Sequence, residues 1–591
     1  MRPDPHSYFD PTQGVTRHAE LVFDVDFASK TIAGRATLTF AAPLAGGPLD
    51  LDTRGLSIVS VVDGAGKPIP YEQGPQEPIL GSRLRLRMAA GETSVTIAYR
   101  TAADASALQW LAPSQTSGKK HPYLFSQCQA IHARSLVPLQ DSPGARITYR
   151  AEVTVPRGLR ALMSASWSDE KTDTDTRTTW RFDMKQPIPP YLLALAAGDI
   201  VGRDLNPRTR VWAEPAVLDS AAWEFVDVGR MMEGAEALFG KYDWDRFDLL
   251  VMPPSFPYGG MENPRLTFLT PTLIAGDRSL VDVVAHELAH SWTGNLVSNA
   301  SANDFWLNEG FTVYAERRIL EKLYGADHVA VEAGVGRIEL DHEIARFGAA
   351  SPLTKLRTDL TGIDPDEVFS LVPYEKGFLF LVLLERTVGR DPFDRFLAEY
   401  LRRYRFQSIT TADFEKTIEA VLPGLLAKVG AKEWIDGPGI PANAPAFAAV
   451  ALDAITALAK SWPKRPDEAA AAKWTSNEWH LYLRALPPVL SLADCTWLDA
   501  TFALTAKKNL EVACAWLAIA AASGFGAARP RIREVLLSVG RMRYLKPLFR
   551  ALASRADSLD FAKQVFAEAE SGYHYIAAGG VRQILAEAKP A

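Results

Sequence analysis

Cysteine is nearly missing: Cys128, Cys495 and Cys514 are the only three in 591 residues. They are too few and too scattered for a disulfide framework or a thiolate metal site, and a reducing compartment fits that usage. No apolar run approaches the roughly 20 residues that cross a bilayer. The longest, "VACAWLAIAAA" from Val512, falls well short. The opening "MRPDPHSYFDPTQ" has no apolar h-region, so no secretory signal, no membrane partner and a cytoplasmic location are expected. No basic block rises above the mixed-sign background, and the net charge of −6 argues against nucleic acid as a partner. Histidine is scarce as well. Of ten in the chain, two stand four residues apart in an apolar segment, at His286 and His290.

What is present reads as a soluble globular chain, with 47% apolar and 23% charged residues, too long for one core. Residues 1–200 read as strands: "LVFDVDF", "TIAGRATLTF", "RLRLRM", "SVTIAYR", "ITYRAEVTV" and "TTWRFDM" alternate with period two between Gly, Pro and Asp turns. An antiparallel sandwich or saddle is expected there. From about Ala221 the period becomes helical, with "RFDLLVMP" a strand-like exception, through a second region spanning 201–436. At 437–449, a segment that starts within "DGPGIPANAPAF" (436–447), closely spaced prolines and glycines predict a stiff linker. Residues 450–591 read as stacked helices without a strict repeat. The fold class is therefore α+β and multidomain.

Chemistry concentrates in "VVAHELAHSWTGNLVSNASANDFWLNEGFT", residues 283–312. A helix is predicted over the first half, capped near Ser279 and Asp282 and stopped by Gly294. On it His286 and His290 project from one face, one turn apart, so their imidazoles can converge on one ion, while Glu287 borders it. Two imidazoles leave a catalytic site one protein ligand short. Glu309 supplies it, nineteen residues on, in a second predicted helix, "FWLNEGFTVYAERRIL". One Zn2+ per chain follows, with Glu287 as general base for a water attacking an amide. Glu316, two turns beyond Glu309, is placed to hydrogen-bond a ligating histidine. Upstream, Tyr258, Gly259, Gly260, Met261 and Glu262 lie in "PYGGMEN": paired glycines admit an extended ligand, and Glu262 can hold an α-ammonium group.

With "GGMEN" and "HELAH…WLNEG" the chain resembles the gluzincin aminopeptidases, the aminopeptidase N family. "PYLFSQCQAIHARSLVPLQDSP", "HSWTGNLV", "DPDEVFSLVPYEKG" and "GRMRYLKPLF" resemble its leukotriene A4 hydrolase branch. That resemblance implies an N-terminal β domain, a thermolysin-like zinc domain and a C-terminal helical superhelix. It also implies roles: Tyr374 as the phenol stabilising an oxyanion, Gln127 and Gln129 lining the substrate site with Gln129 helping Glu262, and Asp366 guiding water to a lipid. Arg541, with Arg543 beside it, would meet a substrate's C-terminal carboxylate.

The chain departs from the vertebrate members at Arg543, where they have Lys, at Phe369, where they have Tyr, and around Ala302, where they have a large aromatic. Metal and peptide chemistry survive these changes; the fit to a fatty-acid epoxide is left open. The leading expectation is a monomeric zinc aminopeptidase acting on short peptides with a free N-terminus. The alternatives are an epoxide hydrolase, a zinc endopeptidase and an inactive scaffold. The endopeptidase is opposed by "GGMEN", and the scaffold by the complete set of ligands and base.

Overall fold

A computed structural model describes residues 4–280, 282–447 and 449–588. All six strands read from alternation are present, and five of them lie in one seven-stranded sheet. Its order is Lys171–Asp173, Arg177–Ile188, Ile147–Pro156, Thr16–Asp26, Thr31–Phe40, Ser94–Arg100, Ser57–Asp63. In Thr16–Asp26, Leu21, Phe23 and Val25 are buried while Glu20 and Asp24 are exposed, so one face meets the core and one meets water. Pairing is antiparallel except between Thr16–Asp26 and Ile147–Pro156, which run parallel with His18 opposite Thr148. The sixth strand, Ser82–Met88, joins a separate three-stranded sheet.

Alternation did not reveal the four-stranded sheet of Arg160–Met163, Leu195–Gly198, Tyr123–Ser126 and Leu108–Leu111. Three of these strands are buried at every position, so they carry no period-two signal. Strands also continue past residue 200. Val201–Asn206, Thr209–Ala213, Leu249–Val251, Thr267–Leu269 and Gly260–Met261 form a mixed five-stranded sheet, with Gly260–Met261 at its edge. The strand-like "RFDLLVMP" contributes Leu249–Val251 to it.

The helices that build the site follow: α1 (Asp282–Ala289), α2 (Trp306–Tyr324), α3 (Ala326–Phe347) and α4 (Gly377–Val388). The residue just ahead of α1 lies outside the described residues, so the expected cap is seen only in part, at Ser279. Its hydroxyl donates to the Asp277 carboxylate at 2.6 Å, an Asx-type turn ahead of the helix. The predicted stop at Gly294 also comes late: α1 ends at Ala289, and a turn stitched by Thr293 N–H to the Ala289 carbonyl carries the chain to Gly294.

Beyond the proline-rich segment, helices from Val450–Lys460 to Tyr575–Ala586 form a second apolar core, which α3 joins through Ala330, Val331 and Val335. The segment itself is docked. Gly439 N–H donates to Thr354 Oγ1 at 2.9 Å, and Asn443 Nδ2 donates to the Val429 carbonyl at 2.9 Å. Among the described residues no helix is long and apolar enough to cross a membrane.

Candidate metal centre and peptide cleft

α1 and α2 pack together and carry the three proposed ligands. His286 Nε2 and His290 Nε2 lie 3.2 Å apart, and Glu309 Oε2 lies 3.4 and 3.5 Å from them. Ligands at 2.0–2.1 Å around a tetrahedral ion are separated by about 3.3 Å, so the three atoms already have the spacing of a zinc shell. The outward nitrogens are fixed. His286 Nδ1 donates to Glu316 Oε2 at 2.8 Å, and His290 Nδ1 donates to the Thr293 carbonyl at 3.1 Å. Both Nε2 lone pairs are thereby turned inwards. Glu309 Oε2 is buried without a hydrogen-bond partner, an expensive state that a cation would relieve. Two imidazoles and an orphaned carboxylate oxygen fit one divalent ion.

Glycines let these groups approach. Gly294, at φ +113°, stands where a Cβ would overlap Asn308 Oδ1 and come within 2.6 Å of His290 Nδ1. Gly260 stands against the Glu287 carboxylate, which a Cβ there would overlap. Glu262, Glu287 and His290 each bring an atom within 4.8 Å of the other two. Gln129 Nε2 donates to Glu262 Oε1 at 3.4 Å, and Gln127 Nε2 contacts Met261 Sδ at 3.0 Å. Burial, reinforced by Glu309, pushes the Glu262 carboxyl up to about 8. Burial likewise holds Glu287 well above the carboxylate range against the pull of His286. Such a concentration of buried acids suits cationic partners.

Tyr374 sits in a π-helical turn, Val372–Lys376, that runs directly into α4. Its ring stacks beside His286, with centroids 6.1 Å apart, and meets Phe369 edge-on at 5.9 Å. Burial, with Glu309 beside it, keeps the phenol protonated far above its ordinary range.

The remaining expected residues are spread around the cleft. Asp366 lines an open pocket of about 690 Å³ with Gln129, Tyr258, Ala302, Phe305 and Phe369. It is already engaged, its Oδ2 lying 2.6 Å from His132 Nε2; His132 lies within "PYLFSQCQAIHARS" but had no role assigned to it. Arg541 is brought in by backbone bonds: Gly540 N–H donates to the Pro254 carbonyl at 2.7 Å, and Met542 N–H to Pro257 at 2.8 Å. Its guanidinium faces Gly259, but it is not a free cation. Arg541 Nη1 donates to Glu511 at 3.1 Å and to the Tyr544 hydroxyl at 2.7 Å. Arg543 is shared between Glu511 at 3.0 Å and Glu339 at 3.1 Å, away from the metal cluster's own contacts.

Sequence comparison assigns these parts. Residues 223–434 match the peptidase family M1 domain, residues 15–192 the peptidase M1 N-terminal domain, and residues 474–585 the C-terminal domain of leukotriene A4 hydrolase. The chain belongs to peptidase family M1. It is 39% identical to leukotriene A-4 hydrolase of Xenopus laevis over 93% of both chains. It is 37% identical to leucine aminopeptidase 2 of Aspergillus fumigatus over 98% of both. The solved yeast LTA4 hydrolase in complex with bestatin superposes with a TM-score of 0.91 at 33% identity, covering 98% of this chain and 97% of the other. The expected family and three-part fold class are borne out, and the chain is a metallopeptidase with the helical C-terminal domain of the leukotriene A4 hydrolases.

Proposed function

We propose that the chain is a zinc aminopeptidase that removes N-terminal residues from short peptides, with His286, His290 and Glu309 holding one Zn2+. The observation that carries this reading is the closeness of Glu262 to Glu287, within 4.8 Å. An α-ammonium group lies only two covalent bonds, of about 1.46 and 1.52 Å, from the carbonyl carbon of its own residue. An amine held by Glu262 therefore leaves only the first peptide bond beside the base. The names of the fungal relatives agree with an exopeptidase.

Zinc, when bound, supplies the Lewis acidity that polarises a carbonyl and acidifies water. Glu287 takes the proton from the attacking water and returns it to the leaving amine. Tyr374, kept protonated, donates a hydrogen bond where negative charge develops on the carbonyl oxygen. The strand Gly260–Met261 lies at the sheet's edge, where an extended peptide can add as a further strand. Gln127, Gln129, Tyr258, Gly259 and Met261 shape that side of the cleft. Arg541, with Arg543 behind it, marks the end that meets the peptide's C-terminus. The enzyme acts as a monomer, and its three free, buried cysteines suit the cytoplasm.

A second reading, hydrolysis of a lipid epoxide, draws on the largely apolar pocket with Asp366 in its wall. It is separated from the first by offering the epoxide directly. The aminopeptidase reading is tested with paired free and N-acetylated tripeptides. The free peptides are cleaved and the acetylated ones resist, while Glu287→Gln keeps its zinc and loses turnover by about 10²-fold or more. Equal cleavage of both peptide forms would remove the assignment.

A further inference from the structure

We infer that Glu375, clamped by Arg317, is the positioning residue that sets the Tyr374 hydroxyl over the metal centre; the inference rests on Tyr374 being the donor proposed above. Tyr374 occupies a π-turn, a wider coil than the α-helix that follows, so its placement is not dictated by α4 alone. What fixes it comes from the next residue. Both oxygens of Glu375 are taken by Arg317, Nη1 to Oε2 at 2.8 Å and Nη2 to Oε1 at 2.8 Å. The pair is buried, at 7% and 12% side-chain exposure, so neither partner can turn to water. A bidentate fork of this kind fixes orientation as well as distance.

Three further contacts close the clamp. The Arg317 guanidinium lies 4.1 Å above the Phe378 ring, pressing on the first turn of α4. Gly336 on α3 leaves room for the Glu375 carboxylate, which a Cβ there would overlap. Gly310 and Gly377 meet backbone to backbone: a Cβ on Gly310 would stand 2.8 Å from Gly377 Cα. Gly310 follows the ligand Glu309, and Arg317 follows Glu316, which orients His286. The helix that carries the ligand Glu309 therefore also holds the donor's turn at two points, Glu375 within it and Gly377 just after it. Nothing in the peptide mechanism uses Glu375 or Arg317 directly, and neither is exposed enough to meet substrate.

The test is a double-mutant cycle between Glu375→Gln and Tyr374→Phe, read as kcat and KM separately, with zinc content measured on each protein. A donor displaced by about 1 Å loses up to about 10²-fold in rate. Glu375→Gln in the parent is therefore expected to lower kcat at least tenfold with KM little changed and zinc retained. In the Tyr374→Phe background the same change is expected to cost less than about twofold, because no hydroxyl remains to be positioned. Equal losses in both backgrounds would show a merely structural role and overturn the inference, as would an unaffected Glu375→Gln beside an impaired Tyr374→Phe. An unimpaired Tyr374→Phe would instead remove the donor itself and both readings with it. If Glu375→Gln does not fold, Arg317→Lys, which keeps the charge and loses the fork, enters the same cycle and is judged by the same outcomes.

Discussion

Gly260 stands so close to the Glu287 carboxylate that a single methyl group would occupy the same space. A Gly260→Ala protein must move either Glu287, the proposed base, or its edge strand. The expected result is retained zinc, near-normal stability and a kcat reduced about 10²-fold, checked by metal analysis alongside steady-state kinetics. An active Gly260→Ala protein would mean that the base sits elsewhere in the working enzyme. At this scale the sequence was informative where spacing carried the chemistry. Glu316 was legible because seven residues beyond Glu309 return to the same helix face, and the structure puts it 2.8 Å from His286. The His132–Asp366 contact was not, since partners 234 residues apart leave no local pattern. Likewise nothing near Arg541 in sequence announces its partner Glu511.

α2 is the element on which the site turns. Fourteen of its nineteen residues are buried, so it cannot be a surface amphipathic helix, and Glu309, Glu316 and Arg317 all leave it toward the metal centre and the Tyr374 turn. Its crossing with α4 is possible because Gly310 faces Gly377, and a side chain at either position would separate the two backbones. Gly310→Ala should gain helix propensity and still lose stability, because overpacking typically costs about 1–3 kcal/mol. Thermal or denaturant unfolding decides this, and a stabilised Gly310→Ala protein would refute the close packing. Long elements such as α2 and the alternating Thr16–Asp26 were readable from sequence because they are long. The four-residue buried strands and the π-turn were not: the former lack alternation, and the latter differs from an α-helix in hydrogen-bond register rather than in composition.

Across the whole molecule, the helical C-terminal domain is tied to the catalytic domain by a buried charge network. Glu339 on α3 accepts from Arg543 and Arg484, each at 3.1 Å, and Glu511 accepts from Arg541 and Arg543. Although burial alone would raise it, Glu339 is pulled down to about 2 by Arg543 and Arg484. A carboxylate with a depressed folded value contributes stability that is complete above its unfolded value, near 4.5, and is lost as pH falls toward 2. His480, lowered to about 4 by burial, acts in the same direction: the unfolded chain takes up a proton below about 6.5, and the folded one resists. The domains should therefore separate or unfold on acidification between about pH 6.5 and 2. Arg543→Met should move that midpoint upward, as followed by tryptophan fluorescence across a pH titration. A midpoint unchanged by Arg543→Met would show that the network does not carry acid stability.

Under the proposed function, the same network would set how the cleft reads the far end of a peptide. Arg541 faces Gly259 with one side of its guanidinium while Glu511 neutralises the other, at 3.1 Å. A substrate carboxylate at the proposed Arg541 site would compete with a carboxylate already in place, which would weaken length selection without abolishing it. Removing the competitor's charge should release it. Glu511→Gln keeps the shape and leaves the Arg541 cation less compensated, so peptides ending in a free acid should gain in kcat/KM over their C-terminal amides by about tenfold, the worth of one charge-assisted bond. Arg541→Ala should bring the acid-to-amide ratio to about one in either background, because the receptor itself is gone. Measuring that ratio for a tripeptide in parent, Glu511→Gln, Arg541→Ala and the double variant separates the two roles. If Glu511→Gln leaves the ratio where the parent has it while Arg541→Ala still lowers it, Arg541 binds the carboxylate without competition from Glu511. If neither change moves the ratio, the C-terminus of the peptide is held elsewhere in the cleft.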